Sequence, residues 1–171
     1  AHDTVVMLVS DHGEMGGAHA LPTAMKVYPF EESIGIPLIV SDPTHPDAHG
    51  GTTDLAVSTE DLFPTLCGLA GTRPAEPRPG SDMAPIVRGE QDDLDREGVM
   101  LETVRDEREL GAFYKKAYRG FRTRRYKYTV LRDESGSRPW QFFDLEQDPL
   151  ERNNLVDDPG HAEQIRRLHE L

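Results

Sequence analysis

The run Thr4-Val5-Val6-Met7-Leu8-Val9 constrains the fold most. It is an unbroken succession of apolar and β-branched residues, and it ends abruptly in Ser10-Asp11-His12-Gly13. An alternating pattern would mark a strand with one wet face. A continuous one predicts an inner strand of a parallel sheet, covered on both sides. Ile36-Pro37-Leu38-Ile39-Val40 is the second such run, with Pro37 at its entrance where a missing N–H is tolerated. Two inner strands cannot cover each other's faces and edges. A further, N-terminal portion of the same sheet is therefore expected to lie outside this chain.

The rest of the chain changes character. Gly13 to Ala24 is Gly-rich and polar, hence a loop, and Asp42 to Thr53 is a second loop. Ser58 or Thr59 can cap a helix whose first turn carries Glu60 and Asp61. Its apolar face is Leu62, Phe63, Leu66, Leu69 and Ala70, and Gly71 ends it. Thr72 to Gly80 holds three prolines and reads as a linker. Strands are expected at Gly98–Val104, Tyr118–Thr123, Tyr126–Leu131 and Trp140–Leu145. A charged excursion is expected over Asp106–Ala112, turns at Arg124-Arg125 and Asp133-Glu134-Ser135-Gly136, and a closing helix over His161–Leu171. The fold class is thus α/β, a parallel-sheet portion followed by a small antiparallel sheet with a terminal helix. The expected division is 1–95 for the first part and 96–171 for the second.

Charge limits the partners. The formal net charge is −12, which repels nucleic acid and anionic membrane surfaces at long range. No apolar stretch approaches the length needed to cross a bilayer. An anionic substrate would need a local cation to hold it. The single cysteine, Cys67, excludes an internal disulfide and reads as a small buried residue. Nothing in the sequence fixes the compartment.

Asp11-His12 at the carboxyl end of a buried strand is the sharpest chemical signal, because ligands collect at such strand ends in open α/β sheets. A carboxylate and an imidazole on consecutive residues can reach one cation if the chain turns at Gly13. Around this pair several motifs fall in one order: Ser10-Asp11-His12-Gly13-Glu14, a Gly-rich segment with His19, Lys26 five residues before Glu31-Glu32, and Ile36-Pro37-Leu38-Ile39. They continue through Asp61-Leu62-Phe63-Pro64-Thr65-Leu66, Gly80-Ser81-Asp82-Met83-Ala84-Pro85 with Arg88-Gly89, and Arg122 with Tyr126-Lys127-Tyr128. Phe143-Asp144-Leu145-Glu146 and Asp148-Pro149, Glu151, Asn154-Leu155 complete the series. Together they resemble the C-terminal part of the sulfatase family, in the alkaline-phosphatase-like superfamily.

The resemblance implies a fold, an activity and a site. It implies hydrolysis of a sulfuric ester, a small anionic substrate, at a divalent cation, calcium first and manganese, magnesium or zinc next. Asp11 and His12 would be metal ligands, and Lys26 would contact the sulfate oxygens. His19 would be a substrate contact or general acid, although its spacing to Lys26 is longer than the family pattern. The formylglycine nucleophile arises from a Cys-x-Pro-Ser-Arg-type segment, which is absent here. Two other readings stand beside this one. The same metal geometry serves phosphodiesterases and phosphonate monoester hydrolases, and a chain without its nucleophile could be a non-catalytic fragment. The remaining polar residues have plainer expectations. Glu14 is a loop residue, and Glu31 and Glu32 begin or cap a helix. His45 and His49 are solvated. Asp144, Asp148 and Glu151 are turn and cap residues, and Arg119, Arg122, Arg124, Arg125 and Lys127 form a solvated basic strand face.

Overall fold

The computed structural model describes residues 3–48, 50–104, 117–133 and 135–171. The expected excursion at 106–112 and His49 lie outside them. The chain forms two compact units, Ala1–Asp11 with Ile36–Glu97, and His12–Gly35 with Gly98–Leu171. Residues 12–35 thus group with the second half of the chain.

In the first unit, β1 (Val6–Val9) pairs with β2 (Leu38–Ser41), with Val6 opposite Ser41 and Val9 opposite Leu38. The pairing between these two strands is antiparallel. Among the described residues these strands keep exposed apolar side chains: Val6 is 58% and Ile39 62% exposed. The helix expected after Ser58 forms as a 3-10 turn, Thr59–Asp61, running into α2 (Leu62–Leu69). A complete capping box starts it: the Ser58 hydroxyl accepts from the chain, and Asp61 Oδ2 accepts from Ser58 N at 2.7 Å. Asp61 does more than cap. It is fully buried, and Arg96 grips it with Nη1 at 2.7 Å and Nη2 at 2.5 Å while Ser81 N donates at 2.7 Å. Burial alone would raise the Asp61 carboxyl, but Arg96 and the two backbone donors hold it below the usual carboxylate range. Thr65, also buried, accepts from Met83 N and so joins α2 to the start of α3 (Ala84–Val87).

In the second unit a four-stranded antiparallel sheet runs in the order β3 (Gly98–Thr103), β4 (Ala117–Thr123), β5 (Tyr126–Asp133), β6 (Gly136–Asp144). The turn at Arg124-Arg125 forms as expected. A bulge between Thr129 and Val130 brings Val130 opposite Pro139, which lacks an N–H and is accommodated because β6 is an edge strand. That edge is covered by side-chain chemistry. Asn154 Oδ1 accepts from Phe142 N, its Nδ2 donates to Trp140 O, and Leu155 N donates to Phe142 O, each at 2.9 Å. One face of the sheet packs Tyr128, Phe142 and Leu168, the last from α4 (Ala162–His169). A second cluster joins Met15, Met25 and Tyr28 to Trp140. The predicted loop at 13–24 is thus a folded segment, pinned by two buried methionines.

Candidate functional site

Gly13 carries a constraint that the sequence alone assigns to a turn. Its N–H donates to Ser33 O at 2.8 Å, and an added Cβ would stand 2.1 Å from Glu32 O. The glycine is required because the backbone of α1 (Glu31–Ile34) passes against it, not because of a left-handed φ. Beside it, His12 Nδ1 lies 2.8 Å from Gly13 O. A carbonyl can only accept, so Nδ1 carries the hydrogen of this bond. Metal-bound histidines hold that arrangement, the ring fixed by a backbone acceptor and the opposite nitrogen presented to the ion. Asp11 is exposed and closes the opening segment of the first unit, and His12 begins the second unit. Among the described residues no three His, Cys, Asp or Glu side chains converge as a metal site.

From Gly13 the chain doubles back on itself. Met15 N donates to Met25 O at 2.8 Å and Gly16 N to Thr23 O at 3.2 Å, closing a loop with His19 near its tip. Met15 is 1% and Met25 3% exposed, so the next residue, Lys26, is turned outward, and it is exposed. His19 sits in a 3-10 turn, Ala18–Ala20, and both it (φ 54°) and Ala20 (φ 56°) occupy the left-handed region. For non-glycine residues that conformation costs about 1–2 kcal/mol each. Packing holds it. The His19 ring stacks on Phe30 with centroids 3.7 Å apart and planes 10° from parallel, and its Nε2 is 3.5 Å from Glu32 Oε2. Glu14 is exposed, as expected. The sequence marks His19 as a candidate but gives no sign of Phe30 and Glu32 as its partners, since they lie eleven and thirteen residues further on.

The helix bearing Glu32 is itself anchored by charge. Glu151 Oε2 accepts from Glu31 N at 2.6 Å, capping α1 from 120 residues away in sequence. Lys127, fully buried, donates to Glu151 and reaches Glu31 Oε1 at 3.3 Å, and Arg122 Nη2 meets Glu31 Oε2 at 3.3 Å. Burial alone would raise the Glu31 carboxyl, but Lys127 and Arg122 together hold it below its ordinary value. Glu151 goes the other way, because burial outweighs the Lys127 charge and pushes it up. The structure thus corrects two expectations. Glu151 is a cap, but of a distant helix and inside an ion-pair cluster. Lys127 and Arg122 leave the predicted solvated face, whereas Arg119, bonded to Glu102, and Arg124 and Arg125 are exposed. Asp144 accepts a two-pronged bond from Arg125, which lowers its carboxyl. His45 is held by Asp42 and Thr44, a local turn network.

Comparison with known proteins agrees with this architecture. A family profile described as "N-sulphoglucosamine sulphohydrolase, C-terminal" matches residues 23–171. An ulvan-active sulfatase of Formosa agariphila is 31% identical over 157 residues, covering 92% of this chain and 29% of that protein. A choline-sulfatase of Rhizobium meliloti is 35% identical over 162 residues, covering 92% and 28%. Among solved structures, a 2-O GAG sulfatase superposes with a TM-score of 0.82 at 27% identity, over 98% of this chain and 35% of that one. The phosphonate monoester hydrolase of Agrobacterium radiobacter gives 0.80 at 29%, over 99% and 34%. The chain therefore spans about three tenths of the length of these curated relatives. It belongs to the sulfatase family, as a C-terminal region with the alkaline-phosphatase-like fold.

Proposed function

We propose that this chain contributes half of a sulfuric ester hydrolase site. Asp11 Oδ and His12 Nε2 are its metal ligands, and Lys26 and His19 are its contacts to the anionic ester. The observation that carries this reading is the bond from His12 Nδ1 to Gly13 O, which fixes the ring through a backbone acceptor in the way metal-bound histidines are fixed, on a turn pressed against α1. One carboxylate oxygen and one imidazole nitrogen fit a hard or borderline divalent ion, calcium first by family likeness, with manganese, magnesium or zinc compatible with the His. Such an ion, when bound, polarises the ester oxygens. The Lys26 ammonium stabilises the negative charge that spreads over the sulfuryl oxygens as the ester bond breaks, and it does so at short range in an otherwise acidic protein. Two ligands fill only part of a calcium shell, so the remaining ligands and the nucleophile must come from sequence beyond this chain. The chain alone should bind calcium or manganese weakly and turn over no ester.

The test uses the full-length gene product carrying this chain. Asp11→Ala and His12→Ala should each lower turnover of 4-nitrophenyl sulfate by at least about a hundredfold and reduce bound metal by elemental analysis. Full activity and full metal content in either variant would remove that residue from the site. A second reading, hydrolysis of phosphonate monoesters or phosphodiesters, is favoured by the structural likeness to the Agrobacterium enzyme. Comparing kcat/KM for aryl sulfate, aryl phosphodiester and aryl phosphonate separates the two.

A further inference from the structure

We propose that Glu32 is a positioning residue that sets His19 as the proton donor to the departing ester oxygen, a role that rests on the sulfatase reading above. The His19 ring is held from two sides. Phe30 lies flat against one face at 3.7 Å, and Glu32 Oε2 stands 3.5 Å from Nε2. A carboxylate at Nε2 fixes that nitrogen as the one that keeps its hydrogen, so Nδ1–H is the proton to be given. The side chain is 17% exposed, enough to meet a substrate while shielded from bulk water. Its backbone adopts the left-handed conformation at both His19 and Ala20, a strain that aims the ring and that the Phe30 and Glu32 contacts maintain. Glu32 in turn cannot drift. Its helix is capped by Glu151 and tied through Glu31 to Lys127 and Arg122. The two acids of α1 therefore act differently. Glu31 anchors the helix, and Glu32 orients the imidazole.

In the bond-breaking step, the oxygen nucleophile supplied by the rest of the protein forms a new S–O bond. The ester S–O bond breaks with its electron pair on the departing oxygen. That oxygen takes the proton from His19 Nδ1, leaving a neutral imidazole whose Nε2–H remains directed at Glu32. Such help matters in proportion to the basicity of the leaving group.

That dependence is the test. In the full-length gene product, kcat/KM is measured for 4-nitrophenyl sulfate, phenyl sulfate and aryl sulfates between them. Glu32→Gln should lose at least about tenfold more on phenyl sulfate than on 4-nitrophenyl sulfate, chiefly in kcat. His19→Gln should show the same slope, the double variant should be no worse than His19→Gln alone, and Glu32→Asp should recover part of the loss. Equal losses along the series, or additive losses in the double variant, would overturn the proposal while leaving the sulfatase reading intact. A wild-type protein inactive on every sulfate but active on phosphonate esters would sink the sulfatase reading, and the proposal with it. Should Glu32→Gln fail to fold, His19→Gln and Glu32→Asp carry the same comparison.

Discussion

Lys127→Met isolates the energetics of the buried charge cluster. Lys127 and Glu151 each have fully buried side chains and contact each other, and Lys127 also reaches Glu31 at 3.3 Å. Methionine keeps the volume and removes the charge. It leaves the Glu151 carboxylate buried beside the Glu31 carboxylate with no cation of its own, whereas Glu31 retains Arg122. Removing one partner of a buried pair costs about 3–5 kcal/mol, a large share of the ~5–15 kcal/mol that holds a typical domain together. The cost must depend on pH, and its sign follows from the two shifts. Glu151 is already raised, so its protonated form favours folding at low pH, and that contribution is lost as pH rises through its folded value. Glu31 is lowered, so its contribution is present above the ordinary carboxylate range and lost as pH falls through its folded value. Lys127 opposes the first shift and produces much of the second. Without it the penalty should be near its full value at pH 7 and mostly gone near pH 4, where the raised Glu151 carboxyl can protonate. Trp140 is the only tryptophan in the chain and lies on β6 between Tyr28 and Tyr118. Urea unfolding followed by its fluorescence reports this unit directly. A loss below about 1 kcal/mol at pH 7, or an equal loss at pH 4 and pH 7, would refute the reasoning. Lys127→Met combined with Glu151→Gln, which keeps an acceptor for Glu31 N, should lose less than the two single losses summed.

Other expectations follow from the same geometry. Gly13→Ala places a methyl 2.1 Å from Glu32 O, so α1 must move or the turn must open. We expect a loss of about 3 kcal/mol or more by the same unfolding assay, together with loss of metal in the full-length protein; unchanged stability would show that α1 yields freely to a methyl at this turn. Asp61→Asn removes the charge that Arg96, Ser58 N and Ser81 N converge upon, and should destabilise the first unit by about 2–4 kcal/mol at pH 7. Because the Asp61 carboxyl is held low, the wild-type advantage should persist above the ordinary carboxylate range and fade only as pH falls through its depressed value. Hydrogen exchange of α2 amides would read this, and protection unchanged from wild type would count against it.

Much of the local structure was legible from composition and period. The Ser58–Asp61 capping box, the strands from Gly98 to Asp144 and the terminal helix follow from residues a few positions apart, the range over which hydrogen-bond and propensity rules act. The motif order was enough to expect the sulfatase family, and with it Asp11, His12, His19 and Lys26 as candidates. Only tertiary structure decided the rest. Glu151 looks like a turn residue because the atom it accepts from, Glu31 N, is 120 positions away in the chain. Lys127 looks solvated because its local pattern is basic and polar, whereas its two carboxylate partners come from distant segments. Gly13 reads as a turn because no sequence rule reveals that a helix backbone passes within a methyl's reach. The continuous apolar run of β1 signals burial but not direction, so the antiparallel pairing with β2 was not written in it. Sequence specifies what a residue can do with near neighbours, and long-range closure of the chain selects which buried charge meets which, because an ion taken out of water must find its partner wherever the fold brings one.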